Sequence, residues 1–535
     1  MKKNKFRPAN VCLLLATLPL LGFVLPAAGE TRLSDYIRPF VGAQGEGNTY
    51  PGPSAPFGMI QISPDTDTTN WDTDSGYEYT DPTIMGFSLT HLSGTGCPDL
   101  GDFLFVPQVG QPAFVSGSKD HPDDGYQSTF SHADESAAAA YYKVRLQKSG
   151  VTTELTAGER AGVLRFTFPA SDEASILTDL NHVINGGRWR VGYHAAPVIV
   201  DGFLKGVKGF DAQHAYEAIK ATAMNPDYDG LASYRKLGYV PCDEEDESLS
   251  KTLEYAYDDY TIAQMAKALG KSADCDYFMK RAASYKNIFD PAIGWMHSKD
   301  SNGNWRTNFD AHLFGGGTNL QDVTEGTSSQ YSWFVQQDVR GLISLMGGKD
   351  NFNAKLDSLF DAKQSEKFTS ELSANDLRGC IGEYWHGNEP SHHVIYLYCY
   401  TGQPWKAAKL LHQVITTQYG SGPGSLCGND DCGQMSAWYM FTCMGFYPVC
   451  PASDYYVIGA PQIPRAAMHL SNGATFTMTA ENISDQNIYV QAVKLNGKDW
   501  NSPFLPYQEL KNGGTIDFVM GQKPSQWGIH ALVPE

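Results

Sequence analysis

Three textures of apolar and polar positions follow one another along the chain. From about Asp35 to Asn185, alternating stretches such as YYKVRLQKSGVTTELTAGERAGVLRFTFP place Val144, Leu146, Val151, Leu155, Val163, Leu164 and Phe166 in strand-length pieces between glycine-containing turns. That pattern predicts an all-β half, a sandwich. From about Gly209 to Tyr447 the period becomes helical: in ESLSKTLEYAYDDYTIAQMAKALGK, Leu253, Tyr257, Ile262, Met265 and Leu269 keep one face. DCDYFMKRAASYKNIF, GTSSQYSWFVQQDVRGLISLMGG, PSHHVIYLYCYTG, PWKAAKLLHQVITTQY and GQMSAWYMFTCMGFY continue the series, several ending in glycine, for about eight helices. From Asp454 the tail returns to strands, with YYVIGA, ATFTMTA, IYVQAVKLNGKDW and TIDFVMG, and Asn496-Gly497 marks a hairpin. Strands, helices and strands in that order predict α and β modules packed side by side rather than a wound parallel sheet.

The first residues change the picture of where the protein works. Lys2, Lys3, Lys5 and Arg7 precede the apolar run VCLLLATLPLLGFVLPAA, which holds Pro19 and Pro26 and leads to the small residues Ala27, Ala28 and Gly29. This is the form of a cleaved secretory leader rather than of a membrane anchor, so residues 1–29 are expected to be removed on export to the periplasm or medium. Cleavage takes four positive charges from a chain whose formal charge is already -19. Such an acidic protein repels nucleic acid and anionic membrane surfaces and favours cations and neutral substrates. Nine of the 10 cysteines lie beyond the leader, an odd number thinly spread, so this is no disulfide scaffold. Cys427 and Cys432 flank GNDD and are spaced to pair or to remain free. The expected boundaries are 30–190 for the sandwich domain, 191–450 for the helical domain and 451–535 for the last strands.

Candidate chemistry concentrates where helices begin. Glu325 precedes GTSSQYSW, Glu389 precedes Pro390 and SHHVIYLY, and Asp430 and Asp431 precede CGQMSAWYMF. A single carboxylate at such a place is explained by capping. Three of them in Gly-, Asn- and Thr-rich loops point instead to helix N-termini converging on one mouth, able to supply an acid, a base and a cation site. The spacing of His386, His392 and His393 in GEYWHGNEPSHH is not that of a zinc site, whereas Glu and Asn oxygens suit a hard cation such as calcium.

HGNEPSHH, TEG and CGNDDCGQMSAWY, with WDTDSGYEY and THLSGTGCPDLGD in the β half, resemble glycoside hydrolase family 92, the calcium-dependent exo-acting α-mannosidases. The resemblance runs from about Asp35 into the C-terminal strands. It implies a β-sandwich followed by an (α/α)6 barrel and inversion of anomeric configuration. Carried over residue by residue, it makes Glu325 the general acid, Asp431 the general base, and Asn388 with Glu389 the calcium pair. It also makes Trp71, Asp72, Cys97, Asp99, Asp102, His386 and Asn429 contacts of the mannose pocket. For Trp71 and Cys97, a place in the β core is an equally good account.

The sequence departs from the family pattern twice. The loop after Glu325 reads GTSSQYSW where an asparagine and aromatic residues are usual. More severely, HVINGGRWR runs straight into VGYHAAPVIVDGFLKG, where relatives insert a block carrying the last sandwich strands, the linker, the first barrel helices and a Trp-Asp-Thr motif. An incomplete barrel is therefore expected. Three functional expectations follow: an inverting, calcium-dependent α-mannosidase acting on N-glycan- or mannan-type substrates, a silent or weakly mannoside-binding relative, and a phosphate-dependent phosphorylase. The acidic chain and the presence of Asp431 weigh against the last.

Overall fold

The computed structural model describes residues 32–534 apart from 57, 69–72, 95–99, 181, 185–192, 316–320, 370, 371 and 373. Leu33–Tyr36, a single 3-10 turn, belongs to one compact unit that ends at Ile37, and the chain from Arg38 forms the other. The leader and the join at Arg190–Val191 lie outside the described residues. Among the described residues no helix is long and apolar enough to cross a membrane.

The first half is a β-sandwich, as its alternation predicts. One sheet runs Ser63–Asp65, Gly86–Ser88, Leu104–Val109, Ala174–Asp179, and the other is the antiparallel meander Glu135–Ala138, Tyr141–Arg145, Thr152–Ala157, Gly162–Thr167. The two-residue repeat decides which side chains are shared between them. Tyr142, Val144 and Leu155 from the meander meet Ile62 and Phe87 in one buried cluster, with Leu164 and Phe166 packed against it, while Val163 faces solvent. At the sandwich edge Asp65 is fully buried between His91 Nε2 (2.8 Å) and His182 Nε2 (3.1 Å). Burial pushes its carboxyl up, but the charge and hydrogen bonds of the two imidazoles outweigh this and bring it down to about 2. The dyad anchors the loop that continues from His91 to Ser93 and Gly94.

The helical half packs around Ser248–Ala268. Its period predicts one apolar face, but the structure buries the opposite face too. That is tolerable only because the polar groups there are satisfied. Asp258 takes the Tyr193 amide (2.8 Å) and lies 2.9 Å from His194 Nδ1, and Asp259 takes the Tyr193 hydroxyl (2.7 Å) and Arg281 Nε (2.8 Å).

Two stretches expected as continuous helices are broken. GTSSQYSWFVQQDVRGLISLMGG divides into Ser328–Tyr331, a 3-10 turn at Gln336–Asp338 and Val339–Leu345, because Asp338 starts a new helix by accepting the Gly341 amide (2.8 Å). PSHHVIYLYCYTG winds as 3-10 turns, Glu389–Ser391 and Val394–Thr401, the second buried throughout. The tail forms a five-stranded sheet in the order Arg465–His469, Thr475–Glu481, Gly514–Gly521, Tyr489–Leu495, Lys498–Asp499. Its Asn496-Gly497 hairpin turns through left-handed φ values of 51° and 76°, as the dipeptide predicts.

Candidate active site

Glu325 stands in a loop ahead of a capped turn of helix. Thr327 accepts the Gln330 amide (3.2 Å), and Gln330 Oε1 accepts the Thr327 amide (2.8 Å), which fixes the turn in both directions. Glu383 holds the turn from the side: its carboxylate takes the Ser329 hydroxyl (3.2 Å) and lies 2.8 Å from His312 Nδ1, and its carbonyl takes Gln330 Nε2 (2.8 Å). The following helix has only four residues, so the helix terminus offers the Glu325 anion little support. Its side chain is open to solvent along one side and crowded by protein on the others. Burial, then the charges of Asp431, Glu247 and Asp376, raise its pKa. A carboxyl raised in this way keeps its proton to higher pH and can donate it.

Asn388 and Glu389 arrive from the next loop. Asn388 Nδ2 donates to the Glu325 carbonyl oxygen (2.8 Å), joining the two loops, and its side-chain Oδ1 meets no donor among the described residues. Glu389 Oε1 is buried without a hydrogen-bond partner. Burial and then the neighbouring Asp431 carboxylate push the Glu389 carboxyl far up; burial raises Asp431 as well. Two crowded acids, beside an orphaned carboxylate oxygen and the Asn388 side-chain oxygen, fit a hard divalent cation. Among the described residues no group of three or more His, Cys, Asp or Glu side chains is placed to hold an ion. Backbone carbonyls, water and substrate hydroxyls would therefore complete the shell.

The third loop is held by the sandwich. The amides of Asp431 and Cys432 donate to the carbonyls of Gly94 and Ser93, the latter at 2.6 Å, and the Asp430 amide donates to Gly47 O (3.2 Å). Gly94 in turn donates to Asn48 O (2.6 Å), and Asn48 Nδ2 donates to Asn429 Oδ1 (2.9 Å). Asp430 is spent on this docking: its carboxylate accepts the hydroxyls of Ser93 (3.0 Å) and Ser436 (2.9 Å). The Asp431 carboxyl takes no part in this docking and stands beside Glu389. A Cβ on Gly94 would lie 2.4 Å from the Asp430 nitrogen, and one on Gly428 would lie 2.1 Å from the Gly387 carbonyl. Both contacts admit only glycine, and the second presses the Asn388 and Asp431 loops together. Glu325 (φ 43°), Asp431 (φ 45°) and Cys432 (φ 55°) all take left-handed backbone, a strain typical of functional loops.

The predicted site residues divide. Glu325, Asn388, Glu389 and Asp431 are brought together. Asn429 is half-buried in the interface just described. Trp71, Asp72, Cys97 and Asp99 lie outside the described residues. The Asp102 carboxylate accepts the Thr90 hydroxyl (3.2 Å), and its amide donates to the same oxygen (3.0 Å). His386 departs from expectation as a sugar contact: it is fully buried, with Nδ1 2.9 Å from the Tyr384 hydroxyl and Nε2 2.8 Å from that of Tyr419. No ring nitrogen remains for a ligand. Burial drives its pKa far down and those of His392 and His393 to about 4, so all three are neutral packing groups. Cys427 is buried and Cys432 exposed, and both are free thiols. Sequence reasoning missed Asn48, Ser93, Gly94 and Glu247. The first three contribute mainly backbone groups, for which only the density of glycine in GAQGEGN and LSGTG was a signal.

The same arrangement of domains occurs in known proteins. The glycosyl hydrolase family 92 catalytic domain matches residues 161–522, and the family 92 N-terminal domain matches residues 36–214. A family GH92 alpha-mannosidase from Bacteroides thetaiotaomicron, solved in complex with mannoimidazole, superposes with a TM-score of 0.87 at 34% identity over 94% of this chain and 97% of that one. A family GH92 inverting mannosidase from the same organism shares the fold, with a TM-score of 0.76 at 24% identity over 94% of this chain and 99% of its own. An uncharacterized secreted glycosidase from Arthroderma benhamiae is 29% identical over 390 residues, which make up 66% of this chain but only 48% of that relative.

Proposed function

Because the chain belongs to glycosyl hydrolase family 92, we propose that it is an exported α-mannosidase, releasing mannose from α-mannosides by calcium-dependent hydrolysis with inversion. The observation that carries this reading is the meeting of Glu325, Glu389 and Asp431, from three distant segments, closely enough that each carboxyl is raised by burial and Asp431 acts on both glutamates. The mannoimidazole complex of the relative supports mannose as the sugar, and the secreted relative supports export. Protonated Glu325 gives its proton to the leaving oxygen. Asp431 takes a proton from a water on the opposite face, which attacks the anomeric carbon; inverting enzymes keep such a pair roughly 6.5–9.5 Å apart. Asn388 and Glu389 would hold calcium, which supplies a positive charge that binds sugar hydroxyls and favours ring distortion. Release of mannose from an α-linked mannobiose, appearing first as the β anomer by NMR, stopped by chelator and restored by calcium, is the expected result. Turnover indifferent to chelator would remove the metal, and α-mannose as first product would remove inversion.

A second reading is favoured by one observation. Val198 on Ala195–Lys205 and Met440 on Gln434–Met444 are apolar yet 75% and 63% exposed, as expected where neighbouring helices are absent. On this reading the chain binds mannobiose without turning it over, and the same assay with a binding measurement separates the two.

A further inference from the structure

Beside the acid stands a carboxylate that the mechanism does not use. Glu247 begins the buried helix Ser248–Ala268, yet it has a left-handed φ of 57°, and its side chain caps nothing. An Asp, Asn or Ser would normally occupy that place and bond the first turn. Four hydrogen bonds stitch this segment to the strand of loop that leads into Glu325: Glu247 N–H to Gln321 O (2.5 Å), Leu249 N–H (3.0 Å) and Ser250 N–H (3.5 Å) to Asp322 O, and Thr324 N–H to Ser250 Oγ (2.9 Å). The backbone at Glu247 is thus held against the loop that carries the acid, and its side chain does not cap its own helix.

Its carboxylate makes no ion pair within bonding distance among the described residues; burial raises its pKa, against the more distant charge of Lys251. The nearest cation along the helix, Lys251, bonds Glu245 instead (2.7 Å). The Thr324 hydroxyl is nine-tenths buried and lies close enough to draw the carboxyl down, yet it makes no aligned hydrogen bond. A half-buried carboxylate next to the proton donor is an acceptor for sugar hydroxyls, with the buried Thr324 hydroxyl behind it. The charge of Glu247 also reaches Glu325. In an inverting glycosidase the acid faces the leaving oxygen and the base faces the opposite side of the ring. Groups beside the acid therefore border the leaving sugar.

We propose that Glu247, backed by Thr324, reads the leaving sugar: its carboxylate accepts hydrogen bonds from hydroxyls of the residue beyond the scissile bond and sets which linkages are cleaved. The inference rests on Glu325 being the acid. The test compares an α-mannobiose with an activated aryl α-mannoside, whose leaving group has no sugar hydroxyls. E247Q should lower kcat/KM for mannobiose about 10–100-fold more than for the aryl substrate, because a charged acceptor of hydroxyl donors is lost only for the sugar leaving group. Equal losses on both substrates, or no loss on either, would overturn the proposal. Calorimetric titration of mannobiose and methyl α-mannoside into E325Q and E325Q/E247Q gives the same contrast without turnover. There, affinity for mannobiose alone should fall, and an unchanged ratio would overturn the assignment in an inert chain too. Absence of turnover in the wild type, by contrast, bears on the hydrolase reading and not on Glu247.

Discussion

The Glu325 loop and the Asp431 loop carry the same kind of group on the same left-handed backbone, yet different atoms hold them. Glu325 is supported by side chains of its own helical domain: Glu383 with Ser329, His312 at its edge, Gln330 against Thr327, and Asn388 on its carbonyl. Asp431 is supported chiefly by main-chain carbonyls of the sandwich at Ser93, Gly94 and Gly47. Side-chain supports are chemically specific and can be tuned one at a time. Main-chain supports are indifferent to residue identity but intolerant of any change in distance.

The largest contrast should come from the two groups themselves. D431N is expected to cost about 10³-fold or more on every substrate, since in the proposed mechanism Asp431 activates the water, whereas E325Q should abolish cleavage of natural linkages and spare substrates with good leaving groups. Both carboxyls are raised. Activity should therefore fall as pH drops through the Asp431 value, which protonates the base, and also as pH rises through the Glu325 value, which ionises the acid. E325Q assayed on an aryl mannoside should lose the alkaline limb only, and persistence of that limb would assign it elsewhere.

A smaller effect breaks the main-chain side of the comparison. G94A places a methyl group against the Asp430 nitrogen and the Gly47 carbonyl, at 2.4 and 2.7 Å, on a backbone with φ 49°. A shift of about 1 Å in the base is worth roughly 10²-fold in rate. We expect that loss in kcat with a fall of only a few degrees in Tm, and wild-type turnover in G94A would show that the sandwich does not position Asp431.

The smallest effect sharpens the side-chain half. E383Q keeps the shape and removes the charge, so kcat should fall about 10-fold or less. The Glu383 hydrogen bond raises the His312 pKa; in E383Q the imidazole should titrate back towards its ordinary range by NMR, and an unmoved titration would deny the link.

What the sequence disclosed follows the same division. The sandwich, the Asn496-Gly497 hairpin and the loops bearing Glu325, Glu389 and Asp431 were legible, because alternation, turn chemistry and side chains with special reactivity leave marks in the letters. His386 was misread because a histidine in a crowded motif looks the same whether its nitrogens meet a sugar or two buried tyrosines. The long helix around Trp333 was misread because Asp338 caps a new start in the middle of a period that would otherwise continue. Asn48, Ser93, Gly94 and Gly47 escaped because hydrogen bonds made by main chain have no letter of their own.

The docking of Ser93 and Gly94 onto Asp431 also governs what a survey of variants can see. A survey that truncates side chains to alanine and passes over the glycines would map the supports of Glu325 in detail and those of Asp431 hardly at all. A survey that adds bulk would do the opposite, lighting up positions 47, 94, 387 and 428, where the only thing to disturb is a gap too small for a methyl group.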